Sequence, residues 1–362
     1  MRHYFDEDSV YNEEVFNDRF RMSKRLFLKI VADVQEHNNY FAEGMDARGK
    51  ESFTAIHKCT SAIRQLASGN VPDEYDEYLA MAERTSRETL DHFVTSVCLL
   101  YKDEFLRAPT SHDIALLYQA HGSYHGLPGM LGSIDCTHWD WRNCPKQYRG
   151  QFHRGDHKYP TIMLEAIASQ DRWCWHAFFG VAGSNNDINV LNQSPLFTNE
   201  MHGIAPRCPF VVNGRQYKRG YYLADGIYPT WSTFVKAYNH PVDLIDKRFN
   251  KLQKAARQDV ERFFGTLKGK WRILLRGARA MTREKVARII YAVIILNNMI
   301  LKDEGKAISP VHIRDPPVNV NVDPNIISEL RDAETHFQLR HDIKMHIEEN
   351  VEVVLTEAEV EE

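Results

Sequence analysis

No two of the six cysteines stand in a C-x-x-C pair, and none of the 17 histidines falls in an H-E-x-x-H spacing. The first absence argues against a zinc ribbon, a dithiol redox motif or a disulfide frame, and the second against a zinc protease. No apolar run approaches the roughly 20 residues that a membrane-spanning helix needs. The opening stretch, MRHYFDEDSV, lacks the apolar core of a secretory signal. No segment repeats along the chain, which excludes a solenoid or propeller. There is no excess of positive charge either: 45 Lys and Arg face 49 Asp and Glu, a net of −4. That balance speaks against a generic nucleic-acid coat. The scattered cysteines suit reduced thiols in an intracellular protein better than a disulfide frame or a structural zinc.

The 362 residues, 43% hydrophobic and 26% charged, suffice for one large or two ordinary globular domains. The average charge hides an asymmetry. Residues 251–290 carry 12 Lys and Arg against 3 Asp and Glu, a net of 12 − 3 = +9, whereas residues 301–362 carry 6 against 15, a net of 6 − 15 = −9. A basic middle implies a polyanion site, and the acidic tail implies either solvation or a basic partner.

Periodicity divides the chain. Residues 1–20 are polar and acidic and are expected to be disordered. Residues 21–106 read as helices, with Leu26, Phe27, Ile30, Val31 and Val34 on one stripe and a helix stop at Gly69-Asn70. Thr85-x-x-Glu88 has the form of a capping box. With Arg84 and Arg87 at its start, the last helix of this region fits a helix-turn-helix or, equally, a plain bundle. Residues 107–130 read as a linker with one short helix. Residues 131–302 change texture: LGSIDCTHWDW, YPTIMLEAIAS, CWHAFFGVAG and YYLADGIYP read as strands, the first three as a meander, with a helix in INVLNQSPLF before the fourth. Two helices follow, NKLQKAARQDVERFFGTLKGKW and REKVARIIYAVIILNNMIL. Residues 303–362 form an acidic tail with one weak helix.

Three carboxylates are out of place. Asp135 interrupts the first strand between Ile134 and Cys136, where Asp is depleted. Asp225 ends the fourth strand. Read alone it opens a turn with Gly226 and Pro229. Glu261 sits on the first late helix, where Lys254, Arg257 and Lys268 share its face at helical spacings. Read alone it is an i,i+4 partner of Arg257, a pair contributing a few tenths of a kcal/mol. Taken together, an Asp on the first strand, an Asp after the fourth and a Glu on the next helix are what a ribonuclease-H-like DDE nuclease requires. Such acids bind two Mg²⁺ ions, for which Mn²⁺ can substitute, beside Lys and Arg that hold the DNA backbone.

The segments PGMLGSIDCTHWDWRNCP, GYYLADGIYPTWSTFVK and AARQDVERFFGTLKGKWRIL make the chain resemble the PIF/Harbinger DDE transposases of the plant type. The resemblance spans residues 18–305. It implies a ribonuclease-H-like catalytic domain, a mixed sheet flanked by helices, preceded by an all-helical domain. It also implies catalytic and metal-binding roles for Asp135, Asp225 and Glu261. Asp187 in GSNNDINVL matches a further acid beside the site, with an N-cap as its plain alternative. His138 and Trp139 match the motif around Asp135, and His138 has a core or turn role as its alternative. Lys254, Arg257, Lys268, Lys270 and Arg272, with Arg84 and Arg87, are the expected DNA contacts. Partners implied are transposon ends and target DNA, a Myb/SANT-like accessory protein that aids nuclear import, and a second copy of the chain. Two other readings compete: a domesticated, non-catalytic chromatin protein, and a two-carboxylate glycosidase. The basic helix around Glu261 disfavours the glycosidase, because a neutral sugar needs no cationic cradle.

Overall fold

The computed structural model describes residues 2–5, 11–45, 49, 51–320, 322–353 and 355. The chain is a mixed α/β protein with a central mixed sheet flanked by helices and a helical N-terminal region. Strands β1 (Met130–Asp140), β2 (Thr161–Ala168) and β3 (Cys174–Ala182) form the meander. A separate hairpin of β4 (Phe210–Val212) and β5 (Arg215–Tyr217) precedes the short strands β6 (Tyr221–Leu223) and β7 (Phe234–Val235).

The five-stranded sheet has the order β3-β2-β1-β6-β7. β1 is antiparallel to β2 and parallel to β6, and β7 continues parallel to β6. Every residue of β2 is buried, because both faces are covered. Helix Leu244–Lys270 packs over β1 and β2, and helix Arg283–Asp303 packs over β3. The second helix is apolar on most sides and is buried accordingly at Val286, Ile289, Ile290 and Ala292–Leu301. On the other face Met163, Val181 and Val190 form a small cluster of their own, which seats helix Asp187–Gln193.

In the helical region, helix Ala55–Ser68 stops at Gly69 as expected. Gly69 has φ 68°, and a Cβ there would lie 2.7 Å from the Arg272 carbonyl oxygen, so the helix end abuts the segment that follows Lys270. The helix carrying Arg84 and Arg87 differs from its expected start. It begins at Glu83 with Ala82 as a cap lacking a side-chain bond. Glu88 is therefore spent on Arg84, not on a capping box. A true capping box forms instead at Thr110 and Asp113, heading helix Ser111–His125. Residues 69–82, which join helices Ala55–Ser68 and Glu83–Phe105, hold a 3-10 turn and a short helix, in contrast to the 3–4-residue turn of a helix-turn-helix.

Both ends of the chain carry more structure than composition suggests. Asn12 caps helix Glu13–Phe20, and Phe16 and Phe20 stack 4.1 Å apart against Phe27 and Tyr4. Aromatic residues spaced among acids supply the burial that a polar average conceals. Near the other end, helix Ala333–Asn350 runs 18 residues from an Asp332 cap. It lies on helix Leu244–Lys270, with Leu339, Ile343 and Ile347 packed among Phe249, Ala256, Leu223 and Val235. Lys344–Asp246 and Arg248–Glu348 ion pairs, each 2.9 Å, flank the contact. Part of the acidic segment thus finds its basic partner within its own chain.

Candidate active site

β1 and β6 bring the two aspartates together. Ser133 pairs with Leu223 in parallel register, and two residues further each strand reaches its carboxylate. Asp135 on β1 and Asp225, two residues past the end of β6, therefore stand at one level. Asp135 is four-fifths covered, and its Oδ1 accepts a hydrogen bond from the Cys136 amide at 2.8 Å. Asp225 is exposed just beyond β6. Its Oδ1 accepts from the Gly226 amide at 2.6 Å and its carbonyl from Tyr228 N–H at 3.1 Å, so it also opens the turn.

The long helix Leu244–Lys270 delivers the third acid. Ala256, Val260, Phe263, Phe264 and Leu267 bury its core stripe, and at the edge of that stripe Arg257 and Glu261 project toward β1. Arg257 Nη1 lies 3.4 Å from Asp135 Oδ2, and Nη2 lies 2.9 Å from Glu261 Oε1. One guanidinium thus spans two of the acids, and the expected i,i+4 pair with Glu261 is realised at the same time.

Burial first, and like charge after it, raises Asp135 and Asp187. Burial pushes the Asp135 carboxyl up to about 6, and Asp187 and Glu261 push the same way against the lowering effect of the Cys136 amide and Arg257. Burial also raises Asp187, with Asp225 among the like charges acting on it. Asp187 is the first residue of its helix, and Asn186 is the N-cap, accepting from the Asn189 amide. The capping role belongs to the neighbour. All four groups offer oxygen alone, the donor chemistry that Mg²⁺ and Mn²⁺ prefer. Among the described residues, however, no three His, Cys, Asp or Glu side chains are drawn together closely enough to hold an ion as they stand. In this arrangement the Arg257 guanidinium stands between Asp135 and Glu261.

The expected DNA contacts fall into separate groups. Lys254 is exposed on the Glu261 face. Lys268 donates to Thr137 Oγ1 at 3.0 Å, and burial lowers its ammonium. Lys270, nine residues after Glu261, is on the opposite side of the helix, where burial lowers its ammonium and the Glu304 charge acts in the opposite direction. Arg272 is exposed in the 3-10 turn Arg272–Leu275. Arg84 and Arg87 are exposed and pair with Glu88 and Glu83 along their own helix. His138 hydrogen-bonds Thr161 Oγ1 at 2.9 Å and lies 4.8 Å from the His157 ring. Burial, then His157, lowers it to about 4, so it is neutral at pH 7.

Two positioning residues escaped the sequence reading. Gln253 is buried, and its Nε2 donates to the Ala224 and Val235 carbonyls, each at 3.2 Å. Ser133 Oγ donates to the Ala256 carbonyl at 3.2 Å. The helix of Glu261 is thus tied to both acid-bearing strands by buried polar bonds, one of them on the residue before Asp225. The available signal was a glutamine standing in the apolar stripe, three residues before Ala256 and seven before Val260. Gln253→Leu fills the space but takes its amide donor from both carbonyls, of which Val235 keeps the Ala224 N–H at 3.2 Å. It is expected to cost about 1–3 kcal/mol, read as a lower urea midpoint at unchanged slope.

A family profile described as "Plant transposon protein" matches residues 103–308, and a domain of unknown function matches residues 1–35. Protein ALP1-like of Arabidopsis thaliana is 22% identical over 316 residues, covering 86% of this chain and 75% of that protein. The protein named Antagonist of like heterochromatin protein 1, also of Arabidopsis thaliana, is 24% identical over 310 residues, 81% of this chain and 75% of its own length. "Putative nuclease HARBI1" of Xenopus laevis is 25% identical over 188 residues, about half of each chain (51% and 50%). No solved structure matches significantly.

Proposed function

The chain belongs to the plant transposon protein family, of Harbinger-type transposase descent, and from that premise we propose that it is a metal-dependent DNA nuclease and transposase of ribonuclease-H-like architecture. The observation that carries this reading is the placement of Asp135 on β1 level with Asp225 just past the end of the neighbouring parallel strand β6, beneath the helix whose Arg257 bridges Asp135 and Glu261. The sheet order, with a three-strand meander joined through β1 to a parallel strand, supports the architecture. Asp135, Asp225 and Glu261 would hold two Mg²⁺ or Mn²⁺ ions, with Asp187 adjoining. When bound, such ions activate an attacking water or 3′-hydroxyl and stabilise the leaving oxygen of a phosphodiester. The chain's own side chains do the rest. Lys254, Arg257 and Lys268 line the approach to the acids and hold backbone phosphates irrespective of base sequence. Lys270 and Arg272, on the far flank, and Arg84 and Arg87 reach DNA only if it wraps the helical region. A Myb/SANT-like protein that recognises the ends, entry to the nucleus with that partner, and a second copy of the chain complete the proposal.

A non-catalytic chromatin role is the second reading. It is favoured by the absence, among the described residues, of a closed metal-binding cluster and by the name of the heterochromatin-antagonist relative. Nicking of a plasmid carrying candidate terminal repeats, with purified full chain and accessory protein in Mg²⁺ or Mn²⁺, separates the two. Nicks are expected from the wild type and none from Asp225→Asn. Equal nicking by both proteins removes the carboxylate mechanism, and no nicking by either supports the chromatin role.

A further inference from the structure

Arg257 occupies an unusual position for a DNA-holding residue: both of its terminal nitrogens face carboxylates. The contact to Glu261 is a good ion pair at 2.9 Å, but the 3.4 Å contact to Asp135 is at the weak limit of a hydrogen bond. The Arg257 side chain is 19% exposed and Glu261 46% exposed, so solvent, or a phosphate, can reach the pair. Lys254, one turn earlier on the same face, is exposed and can guide a phosphate to it. A guanidinium and a divalent cation compete for the same oxygens, Asp135 Oδ2 and Glu261 Oε1. A DNA phosphate offers the guanidinium an equivalent two-pronged acceptor.

We propose that Arg257 is a displaceable latch: without DNA its guanidinium holds Asp135 and Glu261 closed to metal, and a backbone phosphate draws it away and frees them. The inference rests on the metal-dependent reading above and concerns how that site is regulated. In the free protein the latch neutralises clustered acids that would otherwise repel one another. When DNA arrives, Arg257 turns from two carboxylates to one phosphate, and the acids become available as ligands. Because the coupling is thermodynamic, it acts both ways: DNA tightens metal binding, and metal tightens DNA binding by the same factor.

The test measures Mn²⁺ binding to the full chain by electron paramagnetic resonance, with and without a short duplex of random sequence, after subtracting Mn²⁺ bound by the duplex alone. For the wild type, the duplex is expected to tighten Mn²⁺ binding at least about fivefold. Arg257→Gln is expected to bind Mn²⁺ without DNA as tightly as the wild type does with it, and to gain little from DNA. Arg257→Lys keeps the charge but cannot span two carboxylates, and should resemble the Gln variant. Wild-type weakness in DNA-free Arg257→Gln, or wild-type binding indifferent to DNA, overturns the latch. If Asp135→Asn binds Mn²⁺ as well as the wild type, or if no form binds it, the carboxylate reading itself fails, which is a distinct result.

Discussion

Asp135→Asn is expected to melt a few degrees above the wild type in EDTA at pH 7.5 and, once Mg²⁺ is supplied, to cleave DNA more than about a hundredfold more slowly. The two effects have one cause. Asp135 sits mid-strand under the long helix, mostly covered and near Asp187 and Glu261, and its carboxyl is raised from 3.8 to about 6. A carboxyl whose folded value is raised contributes stability that is fully present below about 3.8 and is lost as pH rises through about 6. A shift of that size corresponds to about 3 kcal/mol of destabilisation at neutral pH. Asn does not ionise, so it avoids the loss, although it gives up the weak contact to Arg257. The advantage of the variant should therefore shrink as pH falls from 7.5 to 5 and disappear near 4. Calorimetric midpoints at those three pH values check the sign. A variant that melts below the wild type at pH 7.5 would show that the Arg257 contact outweighs desolvation.

Asn298→Ala is expected to cost about 3–5 kcal/mol of folding stability, among the largest effects available outside the aromatic core. Asn298 is fully buried on helix Arg283–Asp303. Its Oδ1 accepts from the Cys174 amide at 3.0 Å, and its Nδ2 donates to the carbonyls of Cys174 at 2.8 Å and Phe105 at 2.7 Å. One side chain thus joins the start of β3 to the end of the longest N-terminal helix. Alanine leaves a backbone N–H and two carbonyls in the interior without that partner. Its neighbour is the control. Asn297 is equally buried, but its Nδ2 makes a 3.4 Å bond to the Arg172 carbonyl and its Oδ1 is without a partner. Asn297→Ala should therefore cost much less, about 1 kcal/mol. Similar urea midpoints for the two variants would contradict this account.

How much of this could be read in the sequence depended on how local the cause was. The meander was legible because β1, β2 and β3 are long, apolar and closely spaced, and the late helices because their stripes run for several turns. The neighbouring positions of the strands that lead to Asp135 and Asp225 are not written in either segment, and were expected only from the ribonuclease-H-like pattern; the sheet order β3-β2-β1-β6-β7 supplies them. β7 was not legible, since two residues, Phe234 and Val235, carry no periodicity and become a strand only by pairing with Tyr222 and Leu223. Asp187 kept an N-cap as its plain alternative because Asn186 and Asp187 are both good cap residues, and the fold gives the cap to Asn186. The helix of Leu339, Ile343 and Ile347 looked weak because three apolar residues among many charges make a narrow stripe. Its burial depends on a surface formed by residues nearly a hundred positions earlier. Arg257 was legible as a cation on the right face, but not as a guanidinium shared by two acids, because that contact crosses from helix to strand.

Helix Ala333–Asn350 also bears on how the protein is made. Its apolar face covers Phe249 and Ala256 on the helix that carries Glu261, and Leu223 on the strand that leads to Asp225. On the ribosome this helix is synthesised after every acid of the candidate site, so a nascent chain has all four carboxylates in hand while their supports are still uncovered. A product that stops before Ala333 would expose that apolar surface to chaperones and proteases. The supports of the candidate site are therefore sealed only after residues 333–350 have been added.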